Sequence, residues 1–307
     1  VKNLKNGHLP ERSSYDVSVM KDDGTDDLFD RDEVHEIYAS WRKVYNEYDP
    51  PRVAVAEAWV HANRRARYAS TEGLGQSFAF DLLGTPWNKK RFHSTIDYQL
   101  KAAAENGSST TWVFSNHDVI RHATRFGLSE EINKHLPKWF RSADREAQIN
   151  VQQGFDRARA ATMLVLALPG STYLYQGEEL GLPEAWQLEG KYRQDPTIAR
   201  TNGDRIGRDG CRVPLPWEAD ATASNGFNTT GESWLPQPAN YRAFSRNLQD
   251  GVPGSTLELY KRLLKERKAF GMGSGEFRWA EEFQDKNTLA YINNGVLVIF
   301  NFGPDAV

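Results

Sequence analysis

The sequence predicts an α/β fold of parallel βα units, in kind half of a (β/α)8 barrel, that gives way near Gly275 to an all-β segment. Three observations carry that expectation. Short apolar runs alternate with helical patterns from Val53 to Gly181, the order expected of parallel βα units. No GxGxxG follows the first run, which disfavours a dinucleotide-binding sheet. From Phe277 onward the runs FRWAEEF, NTLAYI and GVLVIFNF follow one another without helices, and Asn294-Gly295 between the last two is a hairpin signal. Residues 1–274 are therefore assigned to a partial barrel and 275–307 to the start of a β domain.

In chain order, apolar residues recur at helical spacing from Asp30 to Tyr48 (Val34, Ile37, Tyr38, Trp41, Val44, Tyr45, Tyr48), with Asp30 and Glu33 resembling a capping box and Pro50-Pro51 as the stop. RVAVAEAWV, Arg52 to Val60, reads as a buried strand that ends on a glutamate. An Arg-rich helix around Ala62 to Ser70 leads to SFAFDLL, Ser77 to Leu83, expected as a second strand. A helix from Trp87 to Glu105 stops at Asn106-Gly107, and TTWVFSNHD, Thr110 to Asp118, is a third strand. Phe155 to Leu168 reads as a buried Ala-rich helix closed by Pro169-Gly170, before a fourth strand in STYLYQGEELG, Ser171 to Gly181. Residues 183–254 lack periodicity and are expected to form a substrate-site wall or an irregular subdomain. Leu257 to Phe270 is the last helix.

Composition narrows the function. Against 41 acids stand 38 Lys and Arg, so no electrostatic reason exists to expect nucleic acid or an anionic membrane as partner. No apolar run approaches the roughly 20 residues of a membrane span. The single cysteine, Cys211, excludes an internal disulfide framework and favours a reducing compartment; a bacterial cytoplasm is the expected location. The chain opens on Val1 rather than Met, which reads as a missing natural N-terminus. Oligomeric state is not legible.

The chemistry lies in three acids at strand exits: Glu57, Asp81, and Asp118 beside His117. In parallel α/β barrels the active site is at the carboxyl ends of the strands. Each acid alone could equally be the N-cap of the next helix. Barrel closure would bring Glu57 and Asp118 across one pocket, a pair suited to acid-catalysed acetal cleavage.

At these residues the chain resembles a known family. EAW at Glu57–Trp59 and FSNHD at Phe114–Asp118 are similar to two signature regions of the α-amylase family of glycoside hydrolases, glycoside hydrolase family 13. YQGEELGL at Tyr175–Leu182 and GRDGCRVPLPW at Gly207–Trp217 resemble its exo-acting α-glucosidase branch, and SNHDVIRHATRFG, Ser115 to Gly127, resembles bacterial members. The resemblance implies strands five to eight of a (β/α)8 TIM barrel, then a β-sandwich, and a retaining mechanism through a covalent glucosyl-enzyme. It implies Glu57 as general acid/base, whose place beside Trp59 at an apolar strand's end should favour the protonated carboxyl. It implies Asp118 as the acid that grips the sugar hydroxyls in the transition state. His117 would bond the same ring and Arg208 the terminal glucose. Phe80 would stack near the scissile bond. The alternatives are a structural histidine for His117, a surface ion pair for Arg208, core packing for Phe80, and a loop-holding role for Glu178 and Glu179.

The family's aspartate nucleophile, in an Arg-x-Asp motif on strand four, has no match ahead of Glu57; Asp16 in SYDVS is the nearest aspartate with apolar flanks. The chain is accordingly expected to be an internal, C-terminal fragment, inactive alone and poorly soluble through exposed strand edges. The expected substrate of the whole protein is a small α-glucoside such as maltose or a malto- or isomalto-oligosaccharide. A transglucosylating or sucrose-acting enzyme, or a non-catalytic relative of transporter heavy subunits, is the alternative. No cofactor is expected, although related enzymes often bind calcium on upstream loops. KDDGTDDLFD, Lys21 to Asp30, does not have EF-hand spacing and reads as a solvated loop.

Overall fold

The structure is a computed structural model in which residues 20–134 and 145–303 are described, apart from 204, 222 and the side chain of 62. Asp16 lies outside the described residues. The principal elements are α1 (Glu33–Tyr45), β1 (Ala54–Ala56), α2 (Ala62–Ala69), β2 (Gly75–Ser77), α3 (Asp81–Gly84), α4 (Lys89–Glu105), β3 (Thr111–Val113), α5 (His122–Arg125) and α6 (Glu130–Lys134). They continue with α7 (Val151–Leu166), β4 (Ser171–Tyr173), α8 (Thr197–Arg200), α9 (Thr256–Ala269), β5 (Phe277–Trp279), β6 (Thr288–Asn293) and β7 (Val296–Asn301). The chain divides into two compact units, one of residues 1–80 with 94–112 and one of 81–93 with 113–307.

The first unit is built on a βαβ step. β1 and β2 pair in parallel, Ala54 opposite Gly75 and Ala56 opposite Ser77, with α2 as the connection. Ala56, Tyr68 and Leu74 form the core beneath them, and Val34, Tyr38 and Tyr45 of α1 pack against it. The rest of the apolar stripe of α1, Ile37, Trp41 and Val44, is exposed, and the helix ends at Tyr45, short of Tyr48. At about 100° per residue these two sets lie side by side on the helix, so a single packing surface covers only one edge of the stripe.

Two local expectations are corrected in this unit. The Asp30 side chain does not cap α1: it accepts from Arg64 Nε at 2.7 Å and from Tyr68 Oη at 2.8 Å, and no side chain caps the helix at Asp32. A buried guanidinium outcompetes a helix amide for this carboxylate. The run Ser77 to Leu83 is not a continuous strand, because β2 ends at Ser77 and the chain is helical from Asp81. Beyond Ser77 the Thr111 hydroxyl takes over the ladder, accepting from Ala79 N at 2.8 Å and donating to Ser77 O at 3.0 Å.

In the second unit α7 is the central helix, started by Asn150, whose side chain accepts from Gln153 N at 3.0 Å. It is crossed closely by the segment around α5; a Cβ on Gly154 would collide with Ala123 O and lie 2.8 Å from Gly127 N. The antiparallel meander β5–β6–β7 turns at Asn294 (φ 48°) and Gly295 (φ 79°), the left-handed pair that a two-residue hairpin requires. Tyr291 Oη donates to Leu164 O at 2.7 Å and Asn293 Nδ2 to Ala167 O at 2.7 Å, tying the meander to α7. Residues 183–254 contain short helical turns and share a core with the turn before them: Leu180 and Leu182 are buried together with Ala185, Val213, Leu235 and Tyr241.

Candidate active site

The acids at the strand exits separate once their surroundings are seen. Glu57 follows the last residue of β1, and α2 does not begin until Ala62, so Glu57 caps nothing. Asp118 likewise stands ahead of α5, which begins at His122. Asp81, in contrast, is the first residue of α3, where a carboxylate suits the helix N-terminus. Asp81 thus stands in the first turn of α3 rather than at its N-cap, and Glu57 and Asp118 are the acids that lie outside a helix start.

Glu57 and Phe80 belong to the first unit. The Glu57 side chain is exposed, so the shelter expected at the strand exit is absent. Two residues on, the Trp59 ring stacks on Phe80 with centroids 4.5 Å apart, and Phe80 stacks on Phe78 at 5.4 Å. Trp59 is exposed and Phe80 half-buried, so this aromatic ladder presents a ring face rather than filling a core.

His117, Asp118 and Arg208 belong to the second unit, which brings them together. Asp118 Oδ1 accepts from Arg208 Nη1 at 2.9 Å and from Arg212 Nη2 at 2.8 Å, and lies 3.3 Å from His117 Nε2. The loop is braced by Asn116, whose Oδ1 accepts from Asp118 N at 2.8 Å, and by Arg212 Nε donating to His117 O at 2.7 Å. Arg208 is therefore no isolated surface cation. Its Nε donates to Asp195 Oδ2 at 2.5 Å, and the Asp195 side chain is wholly buried. Burial alone would raise the Asp195 carboxyl, but the hydrogen bonds from Arg208 and Thr197 outweigh it and hold the group well below the carboxylate range. The same bond to Asp195 raises the Arg208 guanidinium further.

Beneath the loop lies a second polar layer. The Arg121 guanidinium donates to Gln176 O at 2.8 Å and to Cys211 O at 3.0 Å, and stands 4.9 Å over the Tyr175 ring. Ser115 Oγ lies 2.7 Å from His122 Nδ1, and His122 Nδ1 is 3.9 Å from Glu178 Oε2. This last approach is no ion pair. Burial pushes the Glu178 carboxyl up to about 8 and the His122 imidazole down to about 3, so both are neutral near pH 7. Glu179 Oε2 accepts from Gly177 N at 2.7 Å, which holds the turn after β4. In the Lys21–Asp30 loop, Asp26 Oδ1 accepts from the backbone N–H groups of Leu28 and Phe29, at 2.9 and 3.2 Å.

Sequence reasoning missed Asp195, Asp209 and Arg212. Arg212 stands inside the quoted GRDGCR motif and could have been singled out. Asp209 stands in the same motif, whereas Asp195 carries no such signal, and only the fold reveals their contact.

Comparison with known proteins decides the family. The alpha amylase catalytic-domain model matches residues 1–272. The chain belongs to the alpha-amylase family. A probable alpha-glucosidase of Rhizobium meliloti is 32% identical over 200 residues, covering 64% of this chain and 31% of that protein. Maltase A1 of Drosophila melanogaster is 26% identical over 260 residues, covering 80% of this chain and 40% of that protein. Among solved structures, the alpha-glucosyl transfer enzyme XgtA superposes with a TM-score of 0.72 at 26% identity, over 90% of this chain and 47% of that one. The trehalulose synthase MutB of Pseudomonas mesoacidophila gives 0.69 at 23% identity, over 89% of this chain and 50% of that one, a likeness of fold. The chain thus spans about a third to a half of the relatives it matches. Membership places its parallel βα units in the (β/α)8 catalytic barrel of the family. Among the described residues no helix is long and apolar enough to cross a membrane.

Proposed function

We propose that these residues are the acid/base half of a retaining, exo-acting α-glucosidase that removes terminal glucose from small α-glucosides such as maltose or isomalto-oligosaccharides. The observation that carries the reading is the convergence of His117, Arg208 and Arg212 on one oxygen of Asp118. A carboxylate held by fixed donors is pre-organised to accept sugar hydroxyls as positive charge develops at the anomeric carbon. The named relatives, a probable alpha-glucosidase and a maltase, support the substrate class.

In this reading Glu57 donates its proton to the glycosidic oxygen as an aspartate attacks the anomeric carbon. The aglycone leaves with that proton, and a glucosyl ester forms. Glu57, now a carboxylate, takes a proton from water as the water oxygen displaces the aspartate, and α-glucose is released. Trp59 and Phe80 offer the apolar ring faces against which a pyranose or its aglycone packs. The aspartate is assigned to an Arg-x-Asp segment on the family's fourth strand, which has no match ahead of Glu57. The 275–307 segment is read as the opening of a β-sandwich.

A second reading, transfer of the glucosyl group to another sugar, is favoured by the likeness to an alpha-glucosyl transfer enzyme. The two separate by product: incubation of the complete gene product with maltose, isomaltose and sucrose releases only monosaccharides under the first (glucose, with fructose from sucrose), and new di- and trisaccharides under the second. No cleavage of any α-glucoside would sink both.

A further inference from the structure

We propose that Asp195 is a positioning residue of this site, whose buried carboxylate aims the Arg208 guanidinium at Asp118. Its consequence for catalysis rests on the glucosidase reading; the geometry stands apart from it. Asp195 Oδ2 accepts from both Arg208 Nε, at 2.5 Å, and Arg208 N, at 3.0 Å. Asp195 Oδ1 accepts from Thr197 N at 2.9 Å. The carboxylate thus grips the backbone and the side chain of the same arginine. A guanidinium is planar and rigid, so fixing Nε fixes where its other nitrogens point. Here Nη1 is directed at Asp118 Oδ1, 2.9 Å away.

Asp195 is itself seated by another acid. Asp209 Oδ1 accepts from Gln194 N and Asp195 N, both at 3.1 Å, and Asp209 is buried. The backbone passes directly over this seat at Gly207, whose φ is +72° and whose Cβ, if present, would lie 2.6 Å from Asp195 Cβ. Only glycine takes that conformation and that approach without strain. Arg208 thus bridges Asp195 and Asp118, and Arg212 brings a second guanidinium to Asp118. A loop staple would need only the backbone contacts. The Nε bond and the onward Nη1 bond are what a positioning role requires.

The test is side-chain NMR of the 15N-labelled chain, with kinetics on the complete gene product. In the unsubstituted chain the Arg208 Nε–H is expected to exchange slowly, and D195N to accelerate exchange roughly ten- to a hundredfold, as a charge-assisted bond becomes a neutral one. With maltose, D195N is expected to raise KM by more than it lowers kcat. An Arg208 Nε–H that exchanges as fast as free arginine, or that D195N leaves unchanged, overturns the proposal. Should D195N not fold, the unsubstituted exchange rate decides alone. If no α-glucoside is cleaved while the Arg208 signal behaves as expected, the positioning stands and the glucosidase reading falls. Cleavage with KM and kcat unchanged in D195N removes the positioning role instead.

Discussion

Asp118 takes two guanidinium hydrogen bonds on one oxygen, so neutralising it removes the carboxylate that Arg212 bonds and leaves Arg208 with Asp195 alone. Asp118→Asn is expected to cost about 1–3 kcal/mol of stability, read as a lower thermal midpoint. In the complete gene product it should lower kcat about 100- to 1,000-fold, as expected of a fixed group facing the transition state. An active, equally stable D118N would mean the carboxylate grips nothing. A second prediction concerns pH. Burial raises Glu178 from 4.5 to about 8 and Glu184 from 4.5 to about 7, so the folded state keeps protons the unfolded state has lost, and stability falls as pH rises through those windows. Burial lowers His122 from 6.5 to about 3, so here the unfolded state takes the proton first and stability falls as pH drops from 6.5. Above the unfolded carboxyl value the two glutamates outweigh the one imidazole, so on these groups the thermal midpoint should peak near roughly pH 4.5 and fall toward pH 8, and Glu178→Gln should flatten the alkaline limb. A midpoint that climbs steadily from pH 5 to 8 would show that these carboxyls are ionised when folded.

At the scale of elements, a single hydroxyl replaces part of a strand ladder. Thr111→Val keeps the shape but leaves Ser77 O and Ala79 N without their shared partner; the expected cost is about 1–3 kcal/mol, with Thr111→Ser milder. Gly154→Ala should cost a similar amount by overpacking, since its Cβ meets the backbone of Ala123 and Gly127, which has no rotamer to yield. Denaturant melts of each variant check both; a neutral G154A would mean that α5 and α7 are free to part. These cases also show where sequence is readable. The Asn294-Gly295 hairpin and the Ser255 cap of α9, which accepts from Glu258 N at 3.2 Å, are written within a few residues and are legible there. The end of β2 depends on Thr111 and the loss of the Asp30 cap depends on Arg64, partners more than thirty residues away. Local pattern carries no trace of such partners.

At the scale of the molecule, the site was legible where motif and strand exit coincide. Asp118, His117 and Arg208 were named from the sequence and meet in one unit; Glu57 and Phe80 were named too, and stand in the other. What sequence did not offer was the support beneath them: Asp209 lies within the quoted GRDGCR motif, but the Asp195 that it seats lies 14 residues away, outside any motif or periodic run. The 307 residues alone are expected to release no glucose from maltose above background, since the acid/base would act without its aspartate. The most direct test of the account is proton NMR of the complete gene product acting on 4-nitrophenyl α-glucoside, whose cleavage frees a single glucose, with Glu57→Gln beside it. The account predicts that α-glucose appears first and that E57Q slows its release about 100- to 10,000-fold. Initial release of β-glucose, or an E57Q enzyme as fast as the unsubstituted one, would contradict it.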